Sequence, residues 1–143
     1  MARTVSSRSV TLTRDSSGVY TATNASGASL QFGRGEGLLS PVELLLAAIA
    51  GCSSVDVDLM TARRAEPTRF EVTSQADYVH DDESGNILEN IVVTFDLEFP
   101  DGPEGDKARA RIGAALKSSH DRECTVSRTV EAPTPVRLVQ RGA

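Results

Sequence analysis

The chain has 143 residues, a mass of 15.2 kDa and a formal net charge of −5 at pH 7. Its length favours one domain over residues 1–143, and its content of 39% hydrophobic and 24% charged residues excludes a disordered or fibrous chain. The acidic balance argues against a nucleic-acid partner, because neutralising phosphates requires an excess of lysine and arginine on one face.

No stretch of the sequence is long enough to be predicted as a membrane span. The longest uninterrupted apolar run, Leu44–Cys52, has nine residues, whereas crossing a bilayer takes about 20. Arg3 and Arg8 are not followed by the hydrophobic core of a signal sequence. Only two cysteines are present, Cys52 and Cys124, which excludes the disulfide scaffold of a small secreted protein. We expect a soluble, cytoplasmic protein that does not interact with a membrane.

The first third of the chain reads as short strands. Runs rich in β-branched residues at Ser9–Arg14, Val19–Asn24 and Ser29–Gly33 are separated by gaps that contain glycine, a pattern typical of hairpins. We therefore predict an antiparallel meander. The glycine-rich segment 33–37 that follows is predicted to be a loop, and it lacks the lysine of a phosphate-binding loop.

A helix start is the strongest local signal in the sequence. Ser40 is a preferred N-cap residue, Pro41 occupies the first helical position and Glu43 completes a capping box. The helix is predicted to continue to about Arg63 or Arg64, before a proline. Apolar residues on every side of its first three turns indicate a helix covered by protein all round. A sheet covers only one side, so we expect a second subunit to cover the other and the protein to be a homodimer.

The remaining elements complete an α+β pattern. Two longer strands are predicted at Arg69–His80 and Ile87–Phe99, an amphipathic helix at Asp106–His120, and two final strands at Thr125–Glu131 and Val136–Arg141. Strands in runs, with helices between the runs, predict an antiparallel sheet packed on the long central helix.

The two cysteines are the candidate chemical groups. A cysteine such as Cys52, in an apolar helix, is often an inert core residue. Cys124 follows a polar string after a helix, where a purely structural cysteine has less reason to lie, although it could also be a half-buried residue at a strand start. His80 and His120 have no metal-ligand spacing with each other or with a cysteine, so no metal is predicted.

A wider motif connects these residues. Its first part is Ser40-Pro41-x-Glu43-Leu44-Leu45-x-Ala47-Ala48-x-x-Gly51-Cys52, and its second is Cys124-x-x-Ser127. The sequence resembles the OsmC/Ohr family of thiol-dependent, peroxide-detoxifying proteins, and within it the OsmC-like (YhfA-like) branch. The resemblance implies the OsmC-like fold, with α+β subunits that form an intertwined homodimer and a reactive cysteine on the central helix.

The resemblance also implies a reaction cycle that needs no cofactor. Cys52 attacks the O–O bond of an organic hydroperoxide as the peroxidatic thiolate and becomes a sulfenic acid. Cys124 condenses with it to form a disulfide, which a dithiol reductant such as a lipoylated protein then opens. An ordinary thiol is only slightly ionised at neutral pH and needs a nearby cation. Family members place an arginine from the N-terminal region there, which points to Arg34, with Arg122 as a second possibility.

Four positions bear on whether the family reaction is retained. Val42 stands where the peroxidases of the family have a glutamate, and Thr125 stands where they usually have a proline. Glu43 is expected to act as a helix cap instead. Asp56 follows Cys52 by one turn on nearly the same helix face, where a nearby carboxylate would raise the pKa of the thiol.

Three functions therefore remain open. An apolar wall from Leu38, Leu39 and the helix leucines favours reduction of alkyl or lipid hydroperoxides. The alternative is a non-enzymatic dimer that binds a small lipophilic molecule at its interface. A third possibility is a structural dimer in which both cysteines serve only the fold.

Overall fold

The computed structural model describes residues 2–142. In chain order the elements are β1 (Val10–Ser16), β2 (Val19–Asn24), β3 (Ser29–Gly33), α1 (Pro41–Ala62), β4 (Arg69–Asp81), β5 (Gly85–Glu98), α2 (Pro103–Ser118), a π-helical segment (Ser119–Glu123) and α3 (Thr125–Glu131). The fold is α+β with antiparallel sheets, as predicted. The chain divides into two compact units, one up to Leu45 and one from Leu46 onward.

The first unit contains the predicted meander. Its sheet has the strand order β1-β2-β3, with Val10 opposite Asn24 and Val19 opposite Gly33. Gly33 has a φ of 136°, and a Cβ there would lie 2.1 Å from the carbonyl oxygen of Gly18. That carbonyl accepts the amide N–H of Arg34 at 2.8 Å. The end of β3 thus requires glycine, because any side chain would break this close approach.

The start of α1 has the predicted capping box. The amide of Glu43 donates to Ser40 Oγ at 3.1 Å, and the amide of Ser40 donates to Glu43 Oε1 at 2.9 Å. The Ser40 amide and hydroxyl hydrogen bonds lower the pKa of the Glu43 carboxyl group. The expected capping role of Glu43 is therefore confirmed, and two amides that the helix itself leaves unpaired are satisfied.

Helix α1 exposes large apolar side chains along its length. Val42, Leu45, Val55 and Leu59 are exposed, the last two by 59% and 63% of their surface. The helix is 22 residues long with a mean hydropathy of 1.6 over its most apolar stretch, which is enough to cross a membrane by length and composition. Core helices of water-soluble proteins have the same properties, so this feature does not by itself indicate a membrane span.

In the second unit, β4 and β5 form one long antiparallel hairpin. Arg69 pairs with Glu98 at the open end and Asp81 pairs with Gly85 at the turn, with a bulge between Gln75 and Asp77. Burial alternates along both strands, so that one face of the hairpin is half-buried and the other exposed. A period of two in burial is typical of strands in a sheet with one covered face.

Helix α2 begins three residues earlier than predicted, at Pro103, and it ends at Ser118. Gly105 in its first turn lies so close to the preceding chain that a Cβ there would come within 1.7 Å of the Pro100 carbonyl oxygen. The chain then continues as a π-helical segment, Ser119–Glu123, whose turn contains about one residue more than an α-helical turn.

The two strands predicted near the C-terminus are wrong. Residues 125–131 form the helix α3, and residues 136–141 have no regular secondary structure. The β-branched residues of this segment favour a strand locally, but the side chain of Cys124 caps the segment as a helix by accepting the amide N–H of Ser127. A tertiary contact of Cys124, described below, fixes that cap in place.

Candidate functional site

The site of interest lies where α1 passes the π-helical segment and the start of α3, all within the second unit. Val57 and Thr61 of α1, Ser119 of the π-helical segment and Cys124 are fully or almost fully buried there, with exposed fractions of 0–2%. Cys52 lies on the same helix as Val57 and is half-buried. The packing of these elements brings the two cysteines together, and both are free thiols.

Cys124 is held by hydrogen bonds from two directions. From α1, the hydroxyl of Ser53 donates to Cys124 Sγ at 3.4 Å, across 71 positions of sequence. From α3, the amide of Ser127 donates to the same sulfur at 3.4 Å, and the Cys124 thiol donates to Ser127 Oγ at 3.2 Å. Ser53 therefore ties the helix that carries Cys52 directly to the second cysteine.

The thiol of Cys52 faces the first turn of α3 and the thiol of Cys124. Backbone N–H groups of Thr125 and Val126, in the first turn of α3, interact with it, and so does the thiol of Cys124. The first-turn amides of a helix have no partner within the helix. Here three of them, from Thr125, Val126 and Ser127, are directed at cysteine sulfur.

The pKa values of the two thiols move in opposite directions. Burial raises the pKa of Cys52, the Val126 amide lowers it, and interaction with Cys124 raises it further, so that the net shift is upward. For Cys124, burial also acts to raise the pKa, but hydrogen bonds with the Ser127 and Ser53 side chains, the Ser127 amide and Cys52 outweigh it and lower the pKa. Hydrogen-bond donors therefore favour the thiolate at Cys124, whereas burial disfavours it at Cys52.

Asp56 does not stand free beside the thiol. The hydroxyl of the buried Ser119 donates to Asp56 Oδ2 at 2.8 Å. The partner of this carboxylate thus comes from the π-helical segment and not from α1 itself. This hydrogen bond fixes the π-helical segment against α1 and so helps to place Cys124.

A cavity of about 380 Å³ lies beside the serines that hydrogen-bond to Cys124, and neither cysteine is among the residues that line it. Ser53 and Ser127, the two partners of Cys124, form part of its wall. The apolar part of the wall consists of Ile49, Ile91, Val93, Phe95, Leu116 and Val130. A polar edge is formed by Ser119, His120 and Glu131, and the ring of His120 lies 2.9 Å from the Glu131 carboxylate. The cavity can accept an apolar group with a polar end.

The two arginines predicted as cations for Cys52 both have exposed side chains. Arg34 follows β3 in the first unit and is exposed, and its aliphatic stem lies against Gly18. Arg122 is exposed in the π-helical segment. A role for either arginine beside Cys52 stays a prediction. Among residues 2–142, no group of three or more His, Cys, Asp or Glu side chains is arranged to hold a metal ion.

Sequence reasoning did not assign roles to Ser53, Ser119 and Ser127. Ser53 directly follows Cys52, and Ser127 is the third residue after Cys124. Their function as hydrogen-bond partners of the Cys124 sulfur follows only from the packing of α1 on α3. The available signal was the spacing Cys124-x-x-Ser127, which is that of an N-cap and the third helical residue. The prediction of a strand at this segment concealed it.

Comparison with protein families identifies the chain. A family model described as "OsmC-like protein" matches residues 33–139, most of the chain. The chain belongs to the OsmC-like protein family. Comparison with curated protein sequences gives no significant match.

Solved structures of OsmC-like proteins share this fold. A hypothetical protein from Aquifex aeolicus VF5 superposes with a TM-score of 0.71 at 23% sequence identity, with 93% of each chain covered. The OsmC-like protein from Mycoplasma pneumoniae gives a TM-score of 0.69 at 13% identity, with 90% of each chain covered. The organic hydroperoxide resistance protein OsmC from Legionella pneumophila gives 0.53 at 15% identity, covering 91% of this chain and 93% of that one. At these identities the likeness establishes the OsmC-like fold and no more.

Proposed function

We propose that this OsmC-like protein is a cysteine-based peroxidase that reduces organic hydroperoxides, alkyl or lipid, through a disulfide cycle between Cys52 and Cys124. The observation that carries the proposal is the meeting of the two cysteines, where Ser53, next to Cys52, hydrogen-bonds to the sulfur of Cys124. Structural relatives named as organic hydroperoxide resistance proteins support it.

In the first step the Cys52 thiolate attacks the terminal oxygen of the hydroperoxide. An S–O bond forms, the O–O bond breaks, and the alkoxide leaves with a proton as the alcohol. The Cys124 thiolate then attacks the sulfenic sulfur of Cys52, an S–S bond forms, and hydroxide leaves and is protonated to water. A dithiol reductant such as a lipoylated protein restores both thiols.

The first step needs an additional positive charge, because burial and Cys124 raise the pKa of Cys52. We assign this role to Arg34, in agreement with the family resemblance. The hydrogen bonds around Cys124 lower its pKa, which favours the thiolate that the second step uses. The apolar wall of the cavity suits the organic part of the hydroperoxide.

We further propose that one OsmC-like domain spans the chain and that the protein acts as a cytoplasmic homodimer. The exposed apolar side chains of α1, such as Val55 and Leu59, are of the kind that a second subunit covers. No nucleic-acid or membrane partner, metal or cofactor is part of the proposal.

Consumption of cumene hydroperoxide in the presence of dihydrolipoamide tests the activity. The parent protein should consume the peroxide and form a band that migrates faster on a non-reducing gel. Cys52→Ser should abolish consumption, whereas Cys124→Ser should accumulate the sulfenic acid and overoxidise. Arg34→Gln should slow only the first step, whereas Arg122→Gln, at the second candidate cation, should leave that step unchanged. Parent-like behaviour of both cysteine variants would refute the proposal.

A binding protein without catalytic activity is the second candidate. The cavity of about 380 Å³ has the size and apolar wall of a site for a small lipophilic molecule, and Val42 replaces the family glutamate. This candidate predicts tight binding of an apolar fluorescent probe and no loss of thiols with hydroperoxide. Rapid, stoichiometric thiol loss would exclude it.

A further inference from the structure

The surroundings of the two sulfur atoms differ in a way that bears on how the disulfide is opened. Cys124 has 0% of its surface exposed, whereas Cys52 is half-buried. Ser53 and the Ser127 amide each donate a hydrogen bond to Cys124 Sγ. An incoming thiol can reach only a sulfur that has a path to solvent, and exchange is faster when the departing sulfur is stabilised as a thiolate.

We propose that Ser53 and Ser127 are positioning residues that make Cys124 the leaving group of the disulfide, so that an external thiol attacks the sulfur of Cys52. This inference rests on the proposed Cys52–Cys124 disulfide, but not on the hydroperoxide as its source.

An external thiolate opens the disulfide. It forms a new S–S bond with Cys52, the Cys52–Cys124 bond breaks, and its electron pair leaves on Cys124 Sγ. The Ser53 hydroxyl and the Ser127 amide stabilise this anion. The Ser127 hydroxyl, which accepts the thiol proton of the neutral residue, can turn and become a third donor to the thiolate. With a dithiol reductant, the second external thiol then attacks the first, which releases Cys52 as a thiol and closes the oxidised reductant.

Attack of the external thiol on Cys124 is the alternative reaction. It has neither an accessible sulfur to attack nor a stabilised departing thiolate. The attacking thiol would have to enter a fully buried position, and Cys52 would leave as the anion. Burial and its neighbour hold the pKa of Cys52 high, which makes it the poorer leaving group. The mixed disulfide should therefore form on Cys52 in excess of about tenfold.

The test uses the full-length protein oxidised with diamide, so that it does not depend on peroxidase activity. The oxidised protein is mixed with excess glutathione, quenched with acid after short times, and alkylated with N-ethylmaleimide. Peptide mapping by mass spectrometry then gives the ratio of glutathione on Cys52 to glutathione on Cys124. The expected result is glutathione on Cys52 and maleimide on Cys124.

Variants separate positioning from folding. Ser53→Ala should slow disulfide opening about tenfold, because it removes one hydrogen bond to the departing anion, and Ser53→Thr, which keeps the hydroxyl, should restore most of the rate. Ser54→Ala is the matched control, since within residues 2–142 the hydroxyl of Ser54 makes no hydrogen bond to either sulfur. In the reduced protein the thiol pKa of Cys124 should rise in Ser53→Ala and stay unchanged in Ser54→Ala, because Ser53 donates to this sulfur.

Four results would overturn the inference. They are glutathione mainly on Cys124, an opening rate of Ser53→Ala equal to that of Ser54→Ala, failure of Ser53→Thr to restore the rate, and no Cys52–Cys124 disulfide with diamide. A protein that fails to consume hydroperoxide but gives the expected ratio would refute the proposed function and leave this inference standing. Consumption of hydroperoxide with glutathione on Cys124 would do the opposite.

Discussion

The hydrogen bond between Ser119 and Asp56 offers a quantitative test of how the site is held together. Ser119 is 2% exposed and its hydroxyl lies 2.8 Å from Asp56 Oδ2. A hydrogen bond to a charged group contributes about 1.5–3 kcal/mol. Asp56 is half-buried, so water can replace part of the lost interaction, and Ser119→Ala should cost about 1.5 kcal/mol. For a domain of this size that corresponds to a fall in Tm of about 6 °C.

Far-ultraviolet circular dichroism during urea and thermal unfolding measures this loss, since the chain has no Trp to report by fluorescence. Ser118→Ala is the control, because Ser118 is the neighbouring half-buried serine. The double variant Ser119→Ala with Asp56→Ala should lose less stability than the two single variants added together. A loss for Ser119→Ala within about 0.5 kcal/mol of Ser118→Ala, or additive losses, would refute the reasoning.

Three further predictions concern α2, the cavity edge and the exposed face of α1. Gly105→Ala should destabilise the protein by more than about 2 kcal/mol, because its Cβ would overlap the Pro100 carbonyl oxygen. Gly113→Ala, in the same helix with open space around it, should stabilise by about 0.5–1 kcal/mol in the same urea titrations. The carboxylates of Asp121 and then Glu131 raise the pKa of His120, so its contribution to stability is complete below a pH of about 6.5 and is lost as the pH rises through the folded-state pKa. His120→Gln should therefore lower the Tm at about pH 5.5 and leave it unchanged at about pH 8.5, and an equal effect at both would contradict the assignment. Leu59→Glu should convert the proposed dimer to a monomer in light scattering, and a parent protein that is monomeric would exclude the dimer.

Local patterns in the sequence predicted most elements of the fold. Strands β4 and β5 were predicted as neighbours in the chain, and Ser40 with Glu43 predicted the start of α1, because in both cases the interacting groups lie close together in the chain. Helix α3 was mistaken for a strand because the favourable β propensity of its residues is outweighed by a cap at Cys124. That cap is stabilised by Ser53, 71 positions earlier, which no local pattern contains.

The candidate site was only partly predictable for the same reason. The family resemblance identified Cys52 and Cys124 as a pair, and in the structure the two thiols do interact. Their opposite pKa shifts depend on which amides and hydroxyls face each sulfur, and these come from three different elements. The partner of Asp56 likewise comes from the π-helical segment, whose wider turn has no recognisable signature in the sequence.

The π-helical segment also sets how the chain can change over evolutionary time. A π turn holds one residue more than an α turn, so deleting a single residue from Ser119–Glu123 would leave a regular helix with its backbone still bonded. Every position beyond the deletion would then rotate by about 100° and move about 1.5 Å along the axis, which would carry Cys124 off the side that meets α1. The exposed side chains of the segment can vary, but its length and its buried Ser119 are fixed.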